Sequence, residues 1–448
     1  MKKHPTERSK ARQLNLFVDE RSLFVKLCDL HNLQAGFKAV KKNGGAPGVD
    51  GVTVQEYEGR LDEELAQLKK DLEGWSYKPS PVRRVEIPKP GKGAGVRLLG
   101  VPCVGDRVVH ATLKVLLEPI LDPMFSDHSY GFRPGYNQQQ AVQAAQRIVK
   151  DGKEYVVDID LSKFFDRVNH DRLIYLLSWH ITDKRILRLI GMILRSGAMV
   201  NGVVQLTEEG TVQGSPLSPL LSNVVLDELD KELERRGLEF CRYADDCNIF
   251  VSSSKSASRV MTSISKFIEQ KLKLKINREK SKVGLSREVK FLGMTIIDGT
   301  VAISWQSIER AMLKVKELTP RGTCLSLEQT MKRINEWYIG WSGYYLMTQY
   351  PSQFVKIEGH IRRRLRARIV DQQKRRRHLY KKLVKRGVSR GHAAKTAQSN
   401  RGRWALSWTK ALHKAYPNRW FTDVLGQKVR SNGMLKHWFG IHRWIRIA

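Results

Sequence analysis

The feature that most constrains this chain is an acidic dipeptide set between two short apolar runs. Glu239 to Tyr243 and Cys247 to Ser252 flank Ala244-Asp245-Asp246. Runs of this length and composition read as strands, and so short a break between them reads as a tight hairpin turn. Phe240, Tyr243, Ile249, Phe250 and Val251 place that hairpin in a buried sheet and not at an exposed edge. Asp is an ordinary turn former. Two acids at the tip of a buried hairpin, in a chain of net charge +34, ask for more than turn chemistry.

A third carboxylate is poised in the same way. Glu154-Tyr155-Val156-Val157-Asp158-Ile159-Asp160 is a β-branched run that ends in acid. A helix is expected after it, over about 164–179, and another over 216–236. A further hairpin is expected over 289–304, turning at Asp298-Gly299. Strand residues alternate faces, but a turn relaxes the alternation, so Asp160, Asp245 and Asp246 can approach one site. Three close carboxylates repel one another unless cations lie between them. Magnesium prefers hard oxygen ligands, and two Mg2+ ions can stabilise both the attacking and leaving oxygens of a nucleotidyl transfer. Asp160, Asp245 and Asp246 are therefore the candidate catalytic and metal-binding residues. Asp158 shares a strand face with Asp160 and competes with it for the ligand role.

The charge supports a nucleic-acid partner. Lys and Arg total 79 against 45 acidic residues, and they run through folded segments instead of one tail. Five scattered cysteines (Cys28, Cys103, Cys241, Cys247, Cys324) form no C-x-x-C pair, which excludes a zinc ribbon or thioredoxin-type site. No apolar run approaches a membrane span, and the basic start lacks a secretory core, so no membrane partner and a cytoplasmic, nucleoid-associated location are expected. Four regions follow from composition: a basic helical extension over 1–60, mixed strands and helices over 61–304, basic helices over 305–390, and a Trp- and Arg-rich tail over 391–448 without clear periodicity.

Tyr243-Ala244-Asp245-Asp246 resembles the Y-x-D-D box of reverse transcriptases. Asp160 to Phe165 resembles their first metal motif. Ile87-Pro88-Lys89-Pro90 with Val96-Arg97-Leu98, Ser129 to Gly135, Gln213 to Pro219, and Phe291-Leu292-Gly293 resemble the family's other boxes, in its order. The resemblance implies an α+β right-hand polymerase of fingers, palm and thumb. It implies RNA-directed DNA synthesis from dNTPs on an RNA template with a DNA or RNA primer, using two Mg2+ ions. It further implies that Lys89 and Arg97 hold the triphosphate, that Phe165 lies under the sugar and rejects a 2′-hydroxyl, and that Gln213 contacts the nascent pair. Lys282 is implied near the active site, with Lys280 an equal alternative. Phe291, Leu292 and Gly293 would form the primer grip.

Ile361 to Arg390 holds 14 Lys or Arg residues against one acid, Asp371. Like charges so spaced destabilise a bare helix, whereas bound phosphates would relieve them. With Trp341, Tyr344, Tyr345 and Arg403-Trp404-Ala405-Leu406-Ser407, this stretch resembles the maturase region of group II intron-encoded reverse transcriptases, of the endonuclease-free bacterial type. That implies group II intron RNA and target DNA as partners, with Arg362, Arg363, Arg364, Arg375, Arg376 and Arg377 contacting RNA and the tail contacting DNA. The rival functions are a splicing factor with dispensable polymerase activity and a domesticated reverse transcriptase in host defence.

Overall fold

The computed structural model describes residues 22–88, 95–200, 203–205, 209–211 and 214–421. The chain divides into two compact units, residues 1–141 with 155–283, and residues 142–154 with 284–448. This division differs from the four regions read from composition. The N-terminal extension shares the first unit's core: Phe24, Leu27, Leu33, Phe37 and Val40 pack with Val104, Val108 and Leu113 of helix Val104–Leu121. Hairpin 294–303 belongs to the second unit.

The first unit carries two sheets. β1 (Val82–Pro88) and β2 (Val96–Val101) pair antiparallel, with Arg83 opposite Val101 and Ile87 opposite Arg97. β4 (Ala198–Val200) runs parallel to β1 and antiparallel to β5 (Val203–Gln205). The second sheet has β3 (Tyr155–Asp160), β6 (Glu239–Tyr243), β7 (Asp246–Val251) and β8 (Lys282–Leu285) in the order β6-β7-β3-β8. Val157, Ile159, Phe240 and Ile249 are fully buried on its underside. Helices Ser218–Arg235 and Ser254–Gln270 cover it there, the latter burying Ala257, Ile264 and Ile268 along one stripe.

Two helix boundaries differ from the sequence reading. After Asp160 the chain makes only a short 3-10 turn, Phe164–Asp166, entered through Lys163 at φ +50°. The helix proper is His170–Ser178, because the Asn169 side chain caps it by accepting from the Arg172 amide. The next expected helix begins at Ser218, with Pro219 in its first turn.

In the second unit, β9 (Met294–Ile297) and β10 (Thr300–Ile303) form the expected hairpin. Asp298 and Gly299 both take positive φ, as a two-residue I′ turn requires. Helices Trp305–Leu318, Leu327–Tyr344, Ser352–Asp371 and Arg376–Lys385 follow. Among the described residues the tail, whose sequence shows no periodicity, carries three short helices, Arg390–Gln398, Arg403–Leu406 and Lys410–Ala415. Segments of four to nine residues complete too few turns to print a 3.6-residue pattern. Among the described residues no helix is long and apolar enough to cross a membrane.

Candidate active site

Asp160 ends β3 directly opposite Asp246, the first residue of β7. Tyr243 pairs with the same Asp246 from β6, so Ala244 and Asp245 are the two-residue turn between the strands. Ala244 takes φ +57°, a left-handed conformation that costs a residue with a Cβ about 1–3 kcal/mol.

The turn is braced from beneath. Arg242, at 0% exposure, donates from Nε to Asp230 Oδ1 (2.7 Å) and from Nη2 to Oδ2 (2.5 Å). Its Nη1 donates to Asn223 Oδ1 and to the carbonyl of Ala244, both at 3.0 Å. Asn223 Nδ2 in turn donates to the Gly131 carbonyl at 2.8 Å. Gly131 lies so near that a Cβ there would stand 2.3 Å from the Ala244 nitrogen. The Arg242 amide donates to His128 O, and the Tyr130 amide donates to Arg242 O. The segment 128–131 is thus a backing plate for the acidic turn. The strand pattern of Glu239 to Tyr243 gives Arg242 no distinct role. The missed signal is a lone arginine in an apolar run, matched by Asp230 on a buried helix face. Arg133, within the same box, has a structural role: it pairs with Asp122 and donates to the carbonyls of Ser126 and Ser129.

Asp160 is positioned from the 277–281 segment. Its amide donates to Ser281 Oγ at 3.0 Å, and its carbonyl accepts from the Asn277 amide at 2.9 Å. Lys280 Nζ stands 3.7 Å from Asp160 Oδ2. Of the two lysines the sequence offers, Lys280 is the one that meets Asp160 in an ion pair of this length. Lys282 is exposed at the start of β8, two residues further along.

Burial pushes the Asp245 carboxyl above its ordinary pKa, and the charge of Asp160 adds to this, while Arg97 and Lys280 pull the other way. Arg97, Phe165 and Asp245 line one cavity of about 530 Å3, together with Phe132, Arg107 and the 43–46 segment. Phe165 is part-buried against Phe164, ring centroids 5.4 Å apart. Gly214, at φ +123°, closes the cavity beside β2: a Cβ there would lie 2.5 Å from the Gly100 carbonyl. Ser215 Oγ shares a 3.0 Å hydrogen bond with buried His110 Nδ1. Lys89 and Gln213 lie outside the described residues.

The donors suit a hard divalent cation, since they are carboxylate oxygens whose mutual repulsion a cation would relieve. Among the described residues no group of three or more His, Cys, Asp or Glu is already gathered in a metal-holding arrangement.

In the second unit, Phe291, Leu292 and Gly293 form a tight turn in which Phe291 bridges Met294. The Tyr344 hydroxyl donates to the Leu292 carbonyl at 2.8 Å, and Ser307 Oγ donates to the Gly293 carbonyl at 2.9 Å. Phe291 is buried, so its ring anchors the turn.

The arginines of helix Ser352–Asp371 overturn part of the RNA-contact expectation. Arg362 is buried and bridges Glu358 at 3.3 Å, out of reach of a phosphate. Arg364 caps helix Trp305–Leu318, donating to the carbonyls of Thr319 (2.8 Å) and Lys316 (3.3 Å). Arg366 donates to Tyr416 O, and Arg368 to the carbonyls of Pro320 and Leu325. Arg363 lies over Trp404. Orphan carbonyls at helix ends require donors, and these arginines supply them. Arg375, Arg376 and Arg377 are exposed, as an RNA contact needs.

Residues 87–296 match the family described as reverse transcriptase (RNA-dependent DNA polymerase). Residues 308–387 match the group II intron, maturase-specific domain. The chain is 31% identical over 280 residues to protein YkfC of Escherichia coli (strain K12), covering 54% of this chain and 73% of that protein. It is 32% identical over 209 residues to the group II intron-encoded protein LtrA of Lactococcus lactis subsp. cremoris, covering 46% of this chain and 34% of that protein. Among solved structures, a partial Cas6-RT-Cas1--Cas2 complex aligns with 56% of this chain and 43% of that chain, at 24% identity and a TM-score of 0.37. The matched family makes the chain an RNA-directed DNA polymerase, and its mixed helices and sheets are of the α+β class. More particularly, the chain belongs to the group II intron-encoded reverse transcriptases, in which a polymerase domain is followed by a maturase domain.

Proposed function

We propose that Asp160 and Asp245, with Asp246 beside them, hold two Mg2+ ions and carry DNA synthesis on an RNA template. The observation that supports this most is the shared cavity: Arg97, Phe165 and Asp245 line one space of about 530 Å3, and Asp160 stands across the ladder from Asp246. Bound there, the cations would stabilise charge on the attacking 3′-oxygen and the leaving pyrophosphate oxygen. Arg97 neutralises the incoming triphosphate, and its guanidinium suits phosphate oxygens. Phe165 bounds the space for the sugar and excludes the 2′-hydroxyl. Lys280 stands at Asp160 and offsets its charge when no cation is present. Lys89 and Gln213 complete the nucleotide contacts, and Phe291, Leu292 and Gly293 grip the primer end.

The maturase reading assigns intron RNA to the exposed basic surface of the second unit, with Arg375, Arg376 and Arg377 on phosphates. Target DNA falls to the tail. Structured RNA is recognised largely by shape and backbone, so affinity should fall steeply with salt.

Two assays test these readings separately. On an RNA template with an annealed DNA primer, the chain should extend with dNTPs and Mg2+ and stop when the metal is chelated. No extension would remove the polymerase assignment. In parallel titrations with a folded group II intron RNA and an unrelated RNA of equal length, the intron RNA should bind tighter and splice faster at low Mg2+. Equal affinity without faster splicing would remove the maturase assignment alone.

A further inference from the structure

Two tryptophans and an arginine meet on the surface of the second unit. Trp404 lies in helix Arg403–Leu406, and Trp408 in the turn after it. The Arg363 guanidinium carbon sits 3.9 Å from the Trp404 ring centroid and 5.0 Å from that of Trp408. Trp408 is 62% exposed and Trp404 36%. Each indole is braced by an imidazole: His413 stands edge-on to Trp408 (5.2 Å, 86°), and His360 lies tilted against Trp404 (5.7 Å, 60°). Burial pushes both histidines below their ordinary pKa, and neighbouring arginines push the same way. The rings are thereby held in place while a broad part of Trp408 stays open.

Arg363 is unusual in its surroundings. Among the described residues no carboxylate pairs with it, and its Nε is buried without a hydrogen-bond partner. Its hydrogen bond to the Trp404 carbonyl is long, at 3.5 Å. Exposed Arg401 and Lys410 flank the two tryptophans in sequence. A single exposed tryptophan needs no explanation. An open indole beside an unneutralised guanidinium, within a strongly basic chain, matches the two parts of a nucleotide. The base lies on the ring and the phosphate meets the cations.

We infer that Trp408, with Trp404 and Arg363, is a stacking site for one unpaired base of a bound nucleic acid. This rests on the reading of the chain as a nucleic-acid enzyme and adds a contact that reads single-strandedness. RNA and DNA offer the same stacking chemistry, so the test separates them.

The full chain is first loaded with saturating RNA template and DNA primer, which fills the polymerase site. A labelled short oligodeoxyadenylate, its riboadenylate counterpart and an abasic oligomer of equal charge are then titrated in. Wild type should bind both base-bearing oligomers more tightly than the abasic one. Trp408→Ala should weaken the base-bearing oligomers about 5- to 100-fold, the weight of one base-on-ring stack, and leave the abasic oligomer unchanged. Trp408→Phe should restore most of the loss. Tighter riboadenylate binding would assign the site to RNA, and tighter deoxyadenylate binding would assign it to DNA. The proposal is overturned if Trp408→Ala binds as wild type does, if it weakens the abasic oligomer equally, or if wild type does not prefer bases. A melting temperature of the same Trp408→Ala sample equal to that of wild type reports an intact fold. Absent extension by wild type itself would sink the polymerase reading without touching the stacking result.

Discussion

Arg242 beneath the acidic turn and Arg366 and Arg368 of helix Ser352–Asp371 are alike in burial and opposite in use. Arg242 has a matched acid: Asp230 takes two of its donors, and the pair holds the guanidinium charged although burial opposes it. Its remaining donors end on Asn223 and on the strained turn itself. Arg364, Arg366 and Arg368 end mainly on backbone carbonyls at helix ends and loops. Without an acid beside it, Arg366 is pushed down by burial to about 10. The first arrangement fixes a point charge under the acidic turn. The second ties helices together through groups that any sequence would present. The place of Arg242 under the turn marks an arginine whose loss should damage chemistry, and the carbonyl partners of Arg364, Arg366 and Arg368 mark arginines whose loss should damage the fold.

The largest effect is expected at the carboxylates. Asp245→Asn should lower single-turnover extension by at least ~10²–10³-fold while RNA affinity stays within about twofold. Equal losses in both would point to misfolding and not to a missing metal ligand. Arg242→Met comes next. Removing one partner of a buried ion pair costs about 3–5 kcal/mol, so the melting temperature and the extension rate should fall together. An unchanged rate in the folded fraction would show that the turn keeps its shape without its brace.

The two arginine sets of the second unit should then separate. Arg362→Leu with Arg364→Leu should lower thermal stability, with any loss of RNA affinity following the unfolded fraction. Arg375→Ser, Arg376→Ser and Arg377→Ser together should leave the melting temperature alone and flatten the salt slope of RNA binding by about 0.7–0.9 for each phosphate no longer neutralised. The reverse pattern would undo the comparison. The smallest effect is at the sugar: Phe165→Ala should weaken dNTP over rNTP discrimination about tenfold in single-nucleotide extension. Unchanged discrimination would remove Phe165 from that role.

The acidic hairpin was legible because its information is local. Apolar runs, a short acidic break and acids at fixed places all lie within fifteen residues of one another, though the structure draws Asp246 out of the break and into β7. Asp160 was legible for the same reason at the end of its β-branched run. Its lysine was not: Lys280 and Lys282 differ only in how the 277–281 segment folds back onto Asp160, which is fixed by the Ser281 and Asn277 hydrogen bonds. The brace under the turn was also hidden, since Arg242, Asp230, Asn223 and Gly131 come from three separate stretches. The basic helix misled because charge density says nothing of partners. Arg362 and Arg364 look identical in sequence to Arg375 and Arg377, and only packing tells that Arg362 meets Glu358 and Arg364 meets helix-end carbonyls while the other two stay exposed.

The central claim is that Asp160 and Asp245 share the metal that drives synthesis. Fe2+ can occupy Mg2+ sites, and with peroxide it cuts the backbone nearby. Cleavage is expected beside Asp160 and within the 243–247 turn, suppressed by excess Mg2+ and abolished in Asp245→Asn. Cleavage elsewhere only, or cleavage at these two places that neither Mg2+ nor the substitution reduces, would contradict it.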